Sequence, residues 1–223
     1  MNFSQSVRDF LIYNIFSRFM YIFIIVGAVP LFYFEQGDLV LLMNEYWGGP
    51  VLDVVFSCIT FLGNGSVFII TFMLFLLYSY KKSVFIGVSG IFVLLASGFL
   101  KHIVFGPLPR PTAFLDIESF FYIIPDFRYA QSFSFPSGHT MTAFAFFSAV
   151  SFLTRNKQLQ YVYVLIACLV GISRMYLLLH FYRDVYAGAI VGVALTILAV
   201  SVVQKINVSN TDGLFYKKLR KEE

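Results

Sequence analysis

The sequence predicts an all-α polytopic membrane protein, a bundle of six transmembrane helices with its site at the outer face. Three observations carry this. Of 223 residues, 59% are hydrophobic and 13% charged, and the mean hydropathy is +0.79. Soluble domains carry roughly 25% charged residues, so this chain has too few polar groups to cover a surface in water. Apolar runs suited to a hydrocarbon core of about 30 Å recur along the chain. The basic residues fall unevenly between the loops that join those runs.

The runs cover residues 18–34, 51–80, 84–104, 138–154, 159–178 and 184–203. Within the second, 51–63 reads either as the first half of the span or as a separate interfacial helix, because Asn64-Gly65 permits a break. The first run lacks the small-residue cleavage site of a signal peptide. No internal repeat or low-complexity segment divides the chain, so 1–223 reads as one membrane-embedded domain with a polar tail over about 205–223. The 28 Phe and 14 Tyr suit lipid-facing surfaces and interfacial belts. Cys58 and Cys168 lie in apolar runs and read as small core residues rather than a bridge or metal site. Asn64-Gly65-Ser66 and Asn207-Val208-Ser209 match the glycosylation triplet, a pattern that often arises by chance.

Six spans put both termini on one side. That side carries Arg8, Arg18, Lys81, Lys82, Arg155, Lys157, Lys205, Lys217, Lys218, Arg220 and Lys221. The other carries Lys101, Arg110, Arg128, Arg174 and Arg183. This 11-to-5 split makes the first side cytoplasmic by the positive-inside rule. The acids Glu35, Asp38, Glu45, Asp53, Asp116, Glu118 and Asp126 all fall outside, as does the longest loop, 105–137. The net charge of +4 therefore reads as loop retention and not as a nucleic-acid partner.

The outer basic residues are the informative ones. Lys101 lies near the end of the third run and Arg110-Pro111 in the loop after it, Pro136-Ser137-Gly138-His139 opens the fourth, and Ser173-Arg174, His180 and Asp184 span the junction of the fifth and sixth. Lys101, Arg110 and Arg174 suit a phosphomonoester, which carries about −1.5 to −2 charges at neutral pH. Arginine matches phosphate oxygens with two parallel hydrogen bonds, and lysine adds a point charge. Ser137-Gly138 at a helix start adds backbone N–H groups and the positive end of the helix dipole, and Pro136 fixes the entry. His180 and Asp184 are four apart and share a helix face, so the carboxylate can hold one ring nitrogen protonated and leave the other as nucleophile. His139, beside the anion site, suits a general acid. Each residue taken singly also has a plain role: Ser137 as an N-cap, Arg174 snorkelling to the interface, His180 and Asp184 as a structural pair. His102 has no partner in the pattern and reads as structural. The co-occurrence on one face is what favours a site.

These residues resemble the type 2 phosphatidic acid phosphatase superfamily, which includes membrane lipid phosphatases and soluble vanadium haloperoxidases. Two of the three family motifs stand intact, as Pro136-Ser137-Gly138-His139 and as Ser173-Arg174, five residues, His180, three residues, Asp184. The first departs: eight residues separate Lys101 from Arg110-Pro111, two more than is usual in the family, and Gly106-Pro107-Leu108-Pro109 is loop-like enough to absorb them. The motif core runs from about 101 to 184.

The resemblance implies a metal-independent phosphatase acting on a lipid phosphate or pyrophosphate, with no cofactor. His180 would attack phosphorus to form a phosphohistidine, supported by Asp184. His139 would protonate the leaving group and then activate water. Lys101, Arg110, Ser137, Gly138 and Arg174 would hold the phosphate. Six apolar spans disfavour the soluble haloperoxidase branch. A lipid phosphotransferase would use the same intermediate, with a lipid hydroxyl replacing water. A transporter or channel with a basic vestibule is disfavoured because no matching half-repeats occur. Candidate substrates are lipid A, undecaprenyl pyrophosphate, phosphatidylglycerophosphate and phosphatidic acid. The expected partners are that lipid and the bilayer, with no nucleic acid and no obligate protein partner evident. The compact form suggests a bacterial inner membrane, with cytoplasmic termini and a periplasmic site. The loop 105–137 is the expected headgroup selector.

Overall fold

A computed structural model of the protein describes residues 3–205. The tail beyond Lys205, with Lys217, Lys218, Arg220, Lys221 and the Asn207 triplet, lies outside the described residues. Within them the chain is all-helical, with no strand.

Two helices, α1 (Phe3–Tyr13) and α2 (Ile15–Val26), meet at Asn14. Its side chain caps α2 by accepting from Phe16 N–H at 2.9 Å. The same amide donates to the Ser151 carbonyl, and the Ser151 hydroxyl donates back at 2.8 Å. A capping residue thus also ties this end of α2 to the bundle. The short α3 (Pro30–Tyr33) extends α2 into an apolar segment, Ile15–Tyr33. After α4 (Asp38–Tyr46), α5 (Pro50–Phe61) and α6 (Ser66–Tyr78) form one apolar unit bent by 50°. The break falls at Asn64-Gly65, where a broken span was one of two readings.

Next comes α7 (Tyr80–Phe99), which ends in a π turn over Leu100–Val104. The long loop 105–137 holds the single turn α8 (Pro111–Phe114). Three helices complete the chain: α9 (Gly138–Leu153), α10 (Lys157–Tyr176) and α11 (Tyr182–Lys205).

Among the described residues four helical segments are long and apolar enough to cross a membrane, namely Ile15–Tyr33, Tyr80–Val104, Lys157–Tyr176 and Tyr182–Lys205; the bent pair makes a fifth candidate when counted as one broken span. The sixth expected span, α9, has 16 residues and a length of about 24 Å, short of a full crossing. Its place in the bundle gives the reason. It packs against α7, α10 and α11 and buries ten of its residues, so helices and not lipid surround most of it. By contrast Ile25, Phe32 and Leu94 are 74%, 85% and 72% exposed, as lipid-facing side chains would be.

The closest packing is between α9 and α11. A Cβ at Gly188 would lie 2.7 Å from the Ser137 carbonyl oxygen, and one at Gly192 2.5 Å from that of Met141. Small residues four apart let helix backbones approach this closely, with Ala145 beside Gly192 in the seam. This seam sets the start of α9 beside the start of α11.

Candidate active site

The end of α7, the starts of α9 and α11 and the end of α10 meet around a cavity of about 660 Å³. Lys101, Arg110, Gly138, His139, Arg174 and His180 all line it. Ser137 and Asp184 are fully buried beneath it. The structure therefore gathers eight residues that the sequence scatters over more than 80 positions.

Local chemistry explains each placement. Ser137 caps α9: its oxygen accepts from Thr140 N–H at 3.4 Å and from the Thr140 hydroxyl at 2.9 Å. Its own N–H donates to the Asp184 carbonyl at 3.0 Å, joining the two helix starts. Ser137 thus supports the cavity wall and does not line it. Gly138 presents bare backbone to Ser97 and Lys101, since a Cβ there would lie 3.1 Å from Ser97 Oγ and 3.9 Å from Lys101 Nζ.

Lys101 sits in the π turn and donates to the Phe133 carbonyl at 3.0 Å. Arg110 donates from Nε to the Ser132 carbonyl at 2.8 Å and from a terminal nitrogen to Leu179 at 3.3 Å. Both cations thus hold the returning arm of the 105–137 loop while facing the cavity. Burial draws the Arg110 guanidinium below its usual value and the Asp184 charge opposes this; an arginine stays cationic regardless. The long Lys101–Arg110 spacing is taken up by the π turn and by Gly106 at φ +70°.

Arg174 is only 5% exposed. One terminal nitrogen donates to Thr60 Oγ1 at 2.7 Å, while its Nε is buried without a hydrogen-bond partner in the protein.

His180 and Asp184 form the deepest pair. Asp184 is the third residue of α11, and its carboxylate reaches back to accept from Phe181 N–H at 3.0 Å, the acid half of a capping box. The Ser134 hydroxyl donates to the same oxygen. That oxygen lies 3.4 Å from His180 Nδ1 without the alignment of a hydrogen bond, and Nδ1 has no other hydrogen-bond partner. Burial pushes the His180 imidazole down to about 3, the Asp184 contact opposes this, and Arg110 and Arg174 add to it. The ring is therefore neutral at physiological pH. A carboxylate facing Nδ1 favours the tautomer with its proton there and a lone pair on Nε2.

Sequence reasoning missed several contributors. Ser97 lines the cavity one turn before Lys101, and that spacing of four was its only signal. Thr60 and Ser134 reach the site through tertiary contacts alone. Gly63, Asn64 and Gly65, from the α5–α6 break, also line it. A Cβ at Gly63 would lie 2.8 Å from the His139 carbonyl oxygen, so the break packs directly on the start of α9. His102 instead rests against Phe133, with ring centroids 4.5 Å apart. Arg183 lies 3.5 Å from the other Asp184 carboxylate oxygen and borders a separate cavity of about 230 Å³.

Away from the charges the cavity turns apolar. It continues between α6 and α7, along Phe68, Ile69 and Phe72 on one wall and Gly87, Gly90, Ile91 and Leu94 on the other. From Lys101 to Gly87 the helix rises about 21 Å, so the groove runs from a cationic head deep into the apolar region.

An alignment of 94 positions shows 39% identity to phosphatidylglycerophosphatase B of Bacillus subtilis (strain 168), covering 37% of this chain and 46% of that protein. The match thus spans about half the length of the curated relative. The fold is similar to the crystal structure of Aquifex aeolicus LpxE, with a TM-score of 0.64 and 26% identity over 74% of this chain and 94% of that one. It is also similar to the first transmembrane PAP2 type phosphatidylglycerolphosphate phosphatase from Bacillus subtilis, with a TM-score of 0.50 and 25% identity over 83% of this chain and 94% of that one. Residues 82–207, more than half of the chain and the whole of the motif core, match one family model, and the chain belongs to the PAP2 superfamily.

Proposed function

We propose that this protein is a membrane lipid phosphatase that works through a phosphohistidine. The observation that carries the reading is the single cavity with two characters: three cations and two histidines at one end, an apolar groove at the other. Such a space fits a phosphorylated amphiphile whose tail stays among the helices while its phosphate meets the charges.

In this reading Lys101, Arg110, Arg174 and the Gly138 backbone neutralise the phosphate and stabilise the charge on its equatorial oxygens in the transition state. The His180 Nε2 lone pair attacks phosphorus as the ester P–O bond breaks. His139 gives a proton to the departing oxygen, then takes one from water, which attacks the phosphohistidine and releases phosphate. Asp184 steadies the positive charge that forms on His180.

The same reading takes α9 as a sixth, short span, with both termini cytoplasmic and the site periplasmic. Its support is the charge pattern: Lys81, Lys82, Arg155, Lys157 and Lys205 stand at the helix ends opposite those that carry the site. The substrate belongs to the lipid A, undecaprenyl pyrophosphate, phosphatidylglycerophosphate or phosphatidic acid type. The 39% identity to a phosphatidylglycerophosphatase favours the glycerophosphate lipids among these.

The test is phosphate release from those four lipids by the detergent-purified chain in excess chelator, beside His180→Ala and His139→Ala. Release that survives chelator and disappears in both variants is the expected result. Release that persists in His180→Ala would overturn the mechanism. Release that appears only as transfer to an added lipid alcohol would make the protein a phosphotransferase.

A further inference from the structure

The helix α5 lies outside the segment that matches the family model and carries none of the motif residues. One face of it nevertheless engages the end of α10 that bears Arg174. Asp53 accepts the Tyr176 hydroxyl at 2.6 Å. The Phe56 ring lies against that of Tyr176, with centroids 4.5 Å apart. Thr60 Oγ1 accepts from Arg174 at 2.7 Å. Positions 53, 56 and 60 fall on one helical stripe, so a single face of α5 reads both residues of α10.

The contact to Thr60 matters most because Arg174 is nearly out of water. A buried guanidinium needs its donors met. Thr60 meets one, while Nε–H, also buried, has no partner within the protein. The guanidinium is planar, so fixing one terminal nitrogen fixes the direction of the remaining N–H bonds. A phosphate oxygen in the cavity would supply the missing acceptor.

We propose that Thr60 is a positioning residue for Arg174: its hydroxyl oxygen holds the guanidinium in the orientation that receives the phosphate. This rests on the reading of the cavity as a phosphate site. Thr60→Val keeps the shape and removes the acceptor, whereas Thr60→Ser keeps the acceptor.

The experiment uses the full chain in detergent with orthovanadate as the phosphate probe, its affinity read from the ligand-induced shift in melting temperature. Wild type and Thr60→Ser should bind alike, and Thr60→Val about tenfold more weakly. In an Arg174→Ala background, Thr60→Val should add no further loss, because the interaction it removes is already gone. Equal affinity of Thr60→Val and wild type would overturn the proposal. So would an undiminished loss in the Arg174→Ala background, which would mean that Thr60 acts on the fold and not through Arg174. Failure of wild type itself to bind orthovanadate would remove the phosphate site and this inference with it; the wild-type control alone reads that outcome.

Discussion

The Ser134 hydroxyl donates to the Asp184 oxygen that faces His180 Nδ1. That oxygen also accepts from Phe181 N–H, so the carboxylate is held from two sides before it meets the imidazole. Removing one such hydrogen bond leaves the other to hold the carboxylate, and a typical net contribution is about 0.5–1.5 kcal/mol. Ser134→Ala should therefore lower kcat for phosphate release by about 2- to 10-fold. Asp184→Asn, which removes the charge facing the imidazolium, should lower it more than 100-fold. Equal losses in the two variants would mean that Asp184 acts through its structural contacts alone.

His180 couples folding to pH. Its folded value near 3 lies below the ordinary histidine value of 6.5, so between those limits the unfolded chain binds the extra proton. Its contribution to stability is complete above pH 6.5 and is lost as the pH falls. The slope is about 1.4 kcal/mol per pH unit for one group. The melting temperature in detergent should drop between pH 6.5 and 4.5, and His180→Asn should flatten that drop. An unchanged profile in the variant would contradict the buried, neutral state of the ring.

Two glycines pack against α9, one beside the site and one away from it. A Cβ at Gly63 would meet the His139 carbonyl at 2.8 Å and the Val170 side chain at the same distance. Gly63→Ala should displace the start of α9 and cut activity at least tenfold, with an overpacking cost of its own of about 1–3 kcal/mol. A Cβ at Gly192 would meet the Met141 carbonyl at 2.5 Å in the middle of the α9–α11 seam. Gly192→Ala should destabilise the protein by about 1–3 kcal/mol, the usual range for overpacking. Thermal melts and initial rates on the two variants check this.

The apolar groove should read tail length. Ile91 lies along it, between the levels of Gly87 and Leu94. Ile91→Trp should raise KM for a long-chain phosphatidic acid about tenfold and leave KM for the dioctanoyl form unchanged. An equal effect on both would place the tail elsewhere.

The motif residues were legible because their spacing is local. His180 and Asp184 share a helix turn, and Ser137-Gly138-His139 opens a helix that an apolar run announces. Thr60 and Ser134 were not, since Thr60 reaches Arg174 across 114 positions and Ser134 reaches Asp184 across 50. Both sit in apolar surroundings where a hydroxyl has no distinguishing pattern. The six runs were found, yet α7 starts at Tyr80 where the apolar run starts at Val84, because its first turn carries Lys81 and Lys82. The helices α1, α4 and α8 went unread: α8 is a single turn of four residues, and α1 and α4 are mixed in polarity. The shortness of α9 escaped notice because hydropathy cannot distinguish a helix surrounded by lipid from one surrounded by other helices.

The π turn at Leu100–Val104 makes the helix–loop junction sensitive to indels in one direction only. An α-helix turns about 100° per residue, so deleting one residue between Phe99 and Lys101 would swing the ammonium group away from the cavity by that angle. Deleting one residue from Gly106–Pro109 would leave Lys101 where it is and shorten only the tether to Arg110. Length variation at this site is therefore tolerable after the lysine and not before it, and a loop graft should be cut at Gly106.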